Sequence, residues 1–308
     1  MDFLSDNLPY ILSGISVGGQ YALIAIGYTM VYGILRLINF AHGDVFMVAG
    51  LMMVYLSSWA PLYVTIPLVI ILTVLLGFII ERAAYKPLRS SPRMSIMISA
   101  IGVSYLLQNI SLYITGGLNK NYPSIPWISD TITIGTAVTK RVTVITPILT
   151  IVLVVALVIL IKHTKIGMAM RAVSRDFETS QLMGIKVDSV ISYTFIIGSL
   201  LAAIGSILYF TNYPGVVPNS GAMPGLKAFV AAVFGGIGSI PGAVVGAFII
   251  GICENIIKGL DTMLVTSGII KNPLGLATFS DAFTFALLII ILIVKPTGLF
   301  GEKKTDKV

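Results

Sequence analysis

Apolar positions along this chain come in long runs rather than in alternation. Stretches approaching the ~20 apolar residues that a helix needs to cross hydrocarbon fall at 8–34, 43–60, 62–82, 94–114, 143–162, 189–212, 226–238, 241–259 and 279–295. The pattern predicts an all-α polytopic membrane protein with about 8–9 transmembrane helices, including one short or broken segment. That segment is 226–238, about half a span at a rise of 1.5 Å per residue, joined to the next run through Gly238-Ser239-Ile240-Pro241-Gly242. Such Gly/Pro-interrupted segments either line a pathway or form a tightly packed helical hairpin, and both readings stay open. Residues 1–308 read as one transmembrane domain, and the longest connection, 116–142, holds Pro123, Pro126 and Trp127 before a β-leaning TITIGTAV stretch that suits a short hairpin. No array of repeats is visible.

Composition agrees with this reading. The 308 residues are 56% hydrophobic and 11% charged, against about 25% charged in soluble domains. Mean hydropathy is +0.96. One cysteine, Cys253, excludes an internal disulfide, and the two histidines offer no metal-ligand spacing. The formal charge of +7 fits Lys/Arg-rich cytoplasmic loops better than nucleic-acid binding. With the N-terminus outside, the inner side collects 14 basic residues: Arg36, Arg82, Lys86, Arg89, Arg93, Lys162, Lys165, Arg171, Arg175, Lys186, Lys295, Lys303, Lys304 and Lys307. The outer side holds six, Lys120, Lys140, Arg141, Lys227, Lys258 and Lys271. This predicts an outside N-terminus and a cytoplasmic C-terminus. The opening MDFLSDNLPY lacks a positive n-region and a small-residue cleavage site, so Leu8 onward reads as an uncleaved span.

The chemistry of enzymes is missing. There is no GxxxxGK[ST] to cradle phosphates, no HExxH, no nucleophile elbow and no paired-carboxylate arrangement. No catalytic residue, bound cofactor or metal is expected. Acids in or near the spans are Asp44, Glu81, Glu254, Asp261 and Asp281, most of them near a boundary. Glu254 is the deepest, and Lys258 four residues on makes a helical ion pair its expected role.

Polar and small residues gather in four places. The first span, SGISVGGQYALIAIGYTMVYG, combines a Gly14/Gly18 GxxxG with Gln20, Tyr21 and Thr29. Small residues permit close helix approach, while Gln20, Tyr21 and Thr29 are candidates to face a pathway. Asn39, His42 and Asp44 follow at a helix break, where they suit capping of backbone groups that lipid cannot satisfy, or gating. GLKAFVAAVFGGIGSIPGAVVG supplies Gly235, Gly236 and Gly238 as candidate pathway walls. Finally, residues 162–188 hold eight of the 33 charged residues between two apolar runs. Their Arg171 to Gly184 stretch reads as an amphipathic helix with Val173, Phe177, Gln181 and Gly184 on one face, fit to lie on the membrane surface or to enter a partner's groove.

Seven segments together resemble a known family: YALIAIGYTMVYGI, INFAHGD, ERAAYKPLRSS, SAIGVSYLLQN, GMAMRAVSRDFETSQLMGI, AFVAAVFGGIGSIPGAVVG and KPTGLFG. Over nearly its whole length the chain resembles the LivH-type permease subunit of bacterial branched-chain amino acid ABC importers (the LivH/LivM family). Glu178 and Gly184 match the core of the EAA---G signature of ABC permeases, although Thr179-Ser180 replaces the two alanines. The resemblance implies a multi-pass protein of the bacterial inner membrane. It implies alternating access driven by two cytosolic LivG/LivF-like ATPases that carry ATP and Mg, a LivM-like second permease and a periplasmic amino-acid-binding protein. It makes 162–188 a cytoplasmic coupling segment, with Arg171, Arg175, Phe177, Glu178 and Gly184 as candidate ATPase contacts. Family relatives for urea, amides and sugars, a self-sufficient carrier or channel, and a noncatalytic scaffold are the alternatives.

Overall fold

A computed structural model describes residues 2–89, 91–135, 137–266, 272 and 274–301. Lys271, Lys303, Lys304 and Lys307 lie outside the described residues. The first helix is α1 (Asp2–Leu35), followed by α2 (His42–Leu56) and α3 (Leu62–Ile80), which a π turn (Glu81–Tyr85) and a 3-10 turn (Lys86–Leu88) prolong. After α4 (Arg93–Thr115) a connection holds β1 (Lys120–Asn121), the one-turn α5 (Pro126–Ser129), β2 (Thr131–Ile134) and β3 (Ala137–Lys140). Then come α6 (Arg141–His163), α7 (Lys165–Arg175), α8 (Phe177–Leu182), α9 (Val187–Asn212), β4 (Gly215–Val216), α10 (Ala222–Gly235) and α11 (Ile240–Thr266). A 3-10 turn (Leu276–Phe279) leads into α12 (Ser280–Val294).

The protein is an all-α polytopic membrane protein. Seven helical stretches among the described residues are long and apolar enough to cross a membrane: Leu8–Leu35, Leu62–Leu88, Arg93–Thr115, Arg141–His163, Val187–Asn212, Ile240–Val265 and Leu276–Val294. The other two apolar runs are helical but short, 15 residues in α2 and 14 in α10. Only 226–238 stood out as short in the sequence. The difference at α2 lies at its end: the helix starts at His42 as expected but stops at Leu56, where Ser57 and Ser58 turn their hydroxyls onto the Val54 and Tyr55 carbonyls ahead of Pro61.

Glycine decides how the helices pack. α1 runs through the middle of the bundle against α6, α9, α10 and α11. A Cβ on Gly18 would lie 2.8 Å from the Phe248 Cα, and one on Gly251 would lie 2.3 Å from the Gly18 nitrogen. The GxxxG therefore brings α1 and α11 into backbone contact, since close packing drives helix association in lipid. In the α10–α11 hairpin a Cβ on Gly235 would meet the Gly242 carbonyl oxygen at 1.9 Å, and one on Gly246 would meet that of Ala231 at 2.4 Å. Close packing thus accounts for Gly235 and Gly242.

The two short helices begin side by side. A Cβ on Gly221, just before α10, would lie 2.0 Å from the carbonyl oxygen of Gly43 in the first turn of α2. This junction lies deep: His42 presses on Gly27 of α1 and on Gly198, near the middle of α9. From there the helices run to opposite ends. Near the end of α2 the Tyr55 hydroxyl donates to the carbonyl of Ile114, at the end of α4. At the end of α10 the Phe234 and Gly235 carbonyls accept from Leu299 and Phe300 beyond α12. Helix starts in the interior need internal partners for their N–H groups, and here the Asn39 carbonyl accepts from the His42 N–H and the Ala41 carbonyl from those of Asp44 and Val45.

One end of the bundle carries α7 and α8, fastened by Lys86 and Arg89 to Asp188 and by Arg36 to the Ser174 carbonyl. At the other end β2 and β3 form an antiparallel hairpin and β1 pairs with β4. Lys140 there donates to the Asn212 carbonyl at 2.9 Å.

Candidate functional site

Four charged side chains meet where α1, α10, α11 and α12 approach one another. One carboxylate oxygen of Glu254 accepts from Lys258 at 2.5 Å and from Lys227 at 2.8 Å. The other accepts from the Tyr21 hydroxyl at 3.0 Å. Lys227 also pairs with Asp281 at 2.6 Å, and its ammonium stands 6.0 Å from the Tyr21 ring centroid. Glu254 is 1% exposed and the Lys227 side chain 7% exposed, while those of Lys258 and Asp281 remain 40% and 42% open. Counted along α11, Glu254 stands about 17 Å from Val265 and about 21 Å from Ile240. The network therefore sits near the middle of a span, with two cations balancing two carboxylates.

The structure enlarges the role expected for Glu254. The pair with Lys258 exists, but Lys227 and Tyr21 share the same carboxylate. Sequence reading took Lys227 as one more exterior charge and left Asp281 at a boundary. A usable signal was present, because an ionisable group inside an apolar run marks a functional position by default.

The Asn39–Asp44 segment ties helices together rather than capping one. Ala41 is the N-cap of α2 and makes no side-chain cap bond. Asn39 accepts from the Tyr85 hydroxyl at 2.7 Å, which the π turn at the end of α3 presents. Asp44 accepts from Ser104 at 2.5 Å and from Gln108 at 3.0 Å, both on α4. His42 packs edge-on against Tyr28 with ring centroids 5.1 Å apart, and its Nε2, buried against Gly27, has no hydrogen-bond partner. The capping expectation fails because each of these side chains has a partner on, or a packing niche against, another helix. Gln20 is buried and donates to the Leu208 carbonyl at 3.4 Å, its own oxygen unpartnered. Of the candidate pathway residues in α1, Tyr21 alone reaches the charged network.

Thr29 and Gly238 line a cleft of 1480 Å³ at the α7–α8 end, beside Arg36, Arg93, Arg171 and Arg175. Gly238 has a φ of 96° and open space around it, so its turn requires glycine for conformation. Gly236, with a φ of 107°, also lies against the backbone of Gly301. Arg171 donates to the Ile161 carbonyl.

The segment expected as one amphipathic helix is two. Asp176 breaks it in an extended conformation, φ −155°, and its carboxylate caps α8 by accepting from the Thr179 N–H at 3.0 Å and the Thr179 hydroxyl at 2.6 Å. An aspartate that can bond the backbone two or three residues on competes with helix continuation. The predicted common face is therefore split: Val173 is buried, whereas Phe177, Gln181 and Gly184 line a second cleft of 910 Å³ with Arg89 and Asp188. Gly184 turns the chain with a φ of 83°, and Glu178 is exposed in the first turn of α8. Hydrogen bonds from the Thr179 hydroxyl and N–H hold the Asp176 carboxyl below the usual carboxylate range. A depressed carboxylate pKa stabilises the cap above the ordinary value and loses that contribution as pH falls through the lowered one. Asp176→Ala is expected to raise amide hydrogen exchange at Thr179–Leu182 at neutral pH. The wild-type and variant rates should converge on acidification.

The family model described as the permease component of branched-chain amino acid transport systems matches residues 10–292. This chain belongs to that family. It is 38% identical over 98% of its length to the LivH high-affinity branched-chain amino acid transport permease of Escherichia coli K12, covering 97% of that protein. The likeness to the LivH protein of Salmonella typhimurium is also 38%, with the same coverage. The BraD permease of Pseudomonas aeruginosa is 36% identical, with 98% of each chain covered. Branched-chain amino acid permeases of this family thus share with this chain the whole length over which the seven spans and two short helices are laid out.

Proposed function

We propose that this chain is a permease subunit of an ATP-binding-cassette importer that carries branched-chain amino acids into the cytoplasm by alternating access. The observation that carries this reading is the end-to-end likeness to permeases named for that transport. The basic loop residues, from Arg36 and Arg89 to Arg175 and Lys186, gather at the α7–α8 end, which supports a cytosolic location for that end and an outside N-terminus for α1. ATP and Mg belong to two LivG/LivF-like ATPases. A LivM-like permease completes the pore, and a periplasmic amino-acid-binding protein delivers the substrate.

Residues 162–188 serve as the coupling segment. Phe177 is 38% exposed beside Leu182 and Met183, which are more exposed still, and an apolar ridge of this kind fits a groove on a partner. Glu178 and Gly184 belong to the same contact, and Arg171 and Arg175, which line the neighbouring cleft, supply its basic side. Phe177→Asp puts a charge in that contact. It is expected to cut ATPase co-purification and leucine uptake by at least tenfold with thermal unfolding of the chain unchanged, whereas unchanged uptake would show that the ATPases engage elsewhere.

Reconstitution tests the function itself. Proteoliposomes holding both permeases, the ATPases and the binding protein should accumulate radiolabelled leucine only with ATP inside. Accumulation by liposomes holding this chain alone would identify a self-sufficient carrier. ATP-driven uptake of urea, an amide or ribose in place of leucine would reassign the substrate.

A further inference from the structure

The network around Glu254 has one buried side and one open side. Lys258 and Asp281 are two-fifths exposed, although Lys258 stands about 10 Å inside the end of its span at Val265. A charge in hydrocarbon costs several kcal/mol, so such groups face a water-filled cavity or a partner. The outer faces of α3 and α6 show the contrast. Their exposed mid-helix side chains, such as Ile71, Leu75, Ile151 and Val155, are apolar.

Two further facts restrict what this open face does. The internal charges sum to zero, and each is already partnered within the chain. A single ion entering here would leave a net charge in a low dielectric. A zwitterion would not: its carboxylate can take over Lys258 or Lys227 while its ammonium takes over Asp281 or Glu254. Every charge then stays paired throughout the exchange. Tyr21 holds the second oxygen of Glu254 and so keeps that carboxylate aimed at Lys227 when one of its cations is drawn away. A neutral amide, urea or sugar offers no charges to exchange and leaves the internal pairs closed.

We propose that the α11–α12 face bearing Lys258 and Asp281 lines the translocation path, and that Lys258, Asp281, Lys227 and Glu254 take the ammonium and carboxylate of the passing amino acid in exchange for their own ion pairs. This rests on the amino-acid importer reading above and names the residues that handle the substrate within it. The fully buried members, Lys227 and Glu254, form the back wall. The open members make first contact.

The experiment uses the full importer, with Cys253→Ser removing the native thiol. Asp281→Cys should react with a membrane-impermeant cationic thiosulfonate added from the α1 N-terminal side. Saturating leucine with its binding protein should slow that reaction at least tenfold. Asp281→Asn, which keeps the size of a side chain that is 42% exposed, should raise the KM for leucine about tenfold with a smaller change in kcat. Glu254→Gln should lower uptake by more than tenfold. Reaction of Asp281→Cys with a lipid-soluble maleimide but not with the impermeant reagent would overturn the proposal, as would an unchanged KM in Asp281→Asn. A wild-type complex that fails to move leucine overturns the transport reading instead. Wild-type transport with unaltered variants overturns only the exchange site.

Discussion

Glu254→Ala is expected to destabilise the bundle by about 3 kcal/mol, near the low end of the range for stripping one partner from a buried ion pair. The reasoning follows the charges left behind. Lys227, whose side chain is 7% exposed, loses its contact at 2.8 Å and keeps only Asp281. Lys258 loses its partner as well, but its side chain is 40% exposed and can extend toward the end of its helix. Tyr21 loses the acceptor for its buried hydroxyl, a further unsatisfied polar group. The double variant Glu254→Leu/Lys227→Met removes the central carboxylate and its most buried cation together. Replacing a buried pair by apolar groups of similar volume is often close to neutral, so the double variant should sit nearer the wild type than Glu254→Ala does. Unfolding by graded SDS in mixed lipid micelles gives both values and the coupling between them. Additive losses would mean that the two side chains do not act as a pair. If the exchange site is right, stability and transport separate here: the double variant folds and does not carry leucine.

The legibility of this protein divides along a physical line. Spans were readable because hydrocarbon imposes a length and a composition that any 20-residue window reveals. The GxxxG at Gly14 and Gly18 was readable as packing because small residues have one main use between helices in lipid. Distance along the chain hid the rest. Lys227 and Glu254 lie 27 residues apart and Tyr21 is 233 residues from Glu254, so neither contact leaves a spacing to recognise. Asn39 and Asp44 looked like caps because a helix starts beside them, yet their partners Tyr85, Ser104 and Gln108 belong to other helices. The break at Asp176 was within reach of sequence. Asp176 immediately before the apolar Phe177, with Glu178 in the first turn, is a start signal for a new helix, and a strong 3.6-residue face on either side concealed it. Sequence also could not show that α2 starts inside the bundle, since an apolar run has no mark for depth.

Gly221→Ala is expected to break the interior junction between α2 and α10. Its Cβ would stand 2.0 Å from the Gly43 carbonyl oxygen, 2.7 Å from that carbonyl carbon and 2.9 Å from the Met47 Cβ. Two of these atoms are backbone and one is the first atom of a side chain, so no rotamer change clears the site. The reciprocal position is equally closed, with a Gly43 Cβ 2.7 Å from the Gly221 carbonyl oxygen. Overpacking that only side chains must absorb costs about 1–3 kcal/mol. Here two helices must part, and parting them moves His42 off Gly27 and Gly198. A loss of at least about 3 kcal/mol follows, at the top of the overpacking range, seen as a collapse in folded yield or a large fall in thermal midpoint. Gly102→Ala is the control. Gly102 lies within α4 with nothing within 4 Å of its added Cβ, so alanine should gain about 0.5–1 kcal/mol through helix propensity. If Gly221→Ala instead behaved like Gly102→Ala, the two short helices would not meet at their N-termini, and the interior junction that anchors α2 and α10 would have to be redrawn.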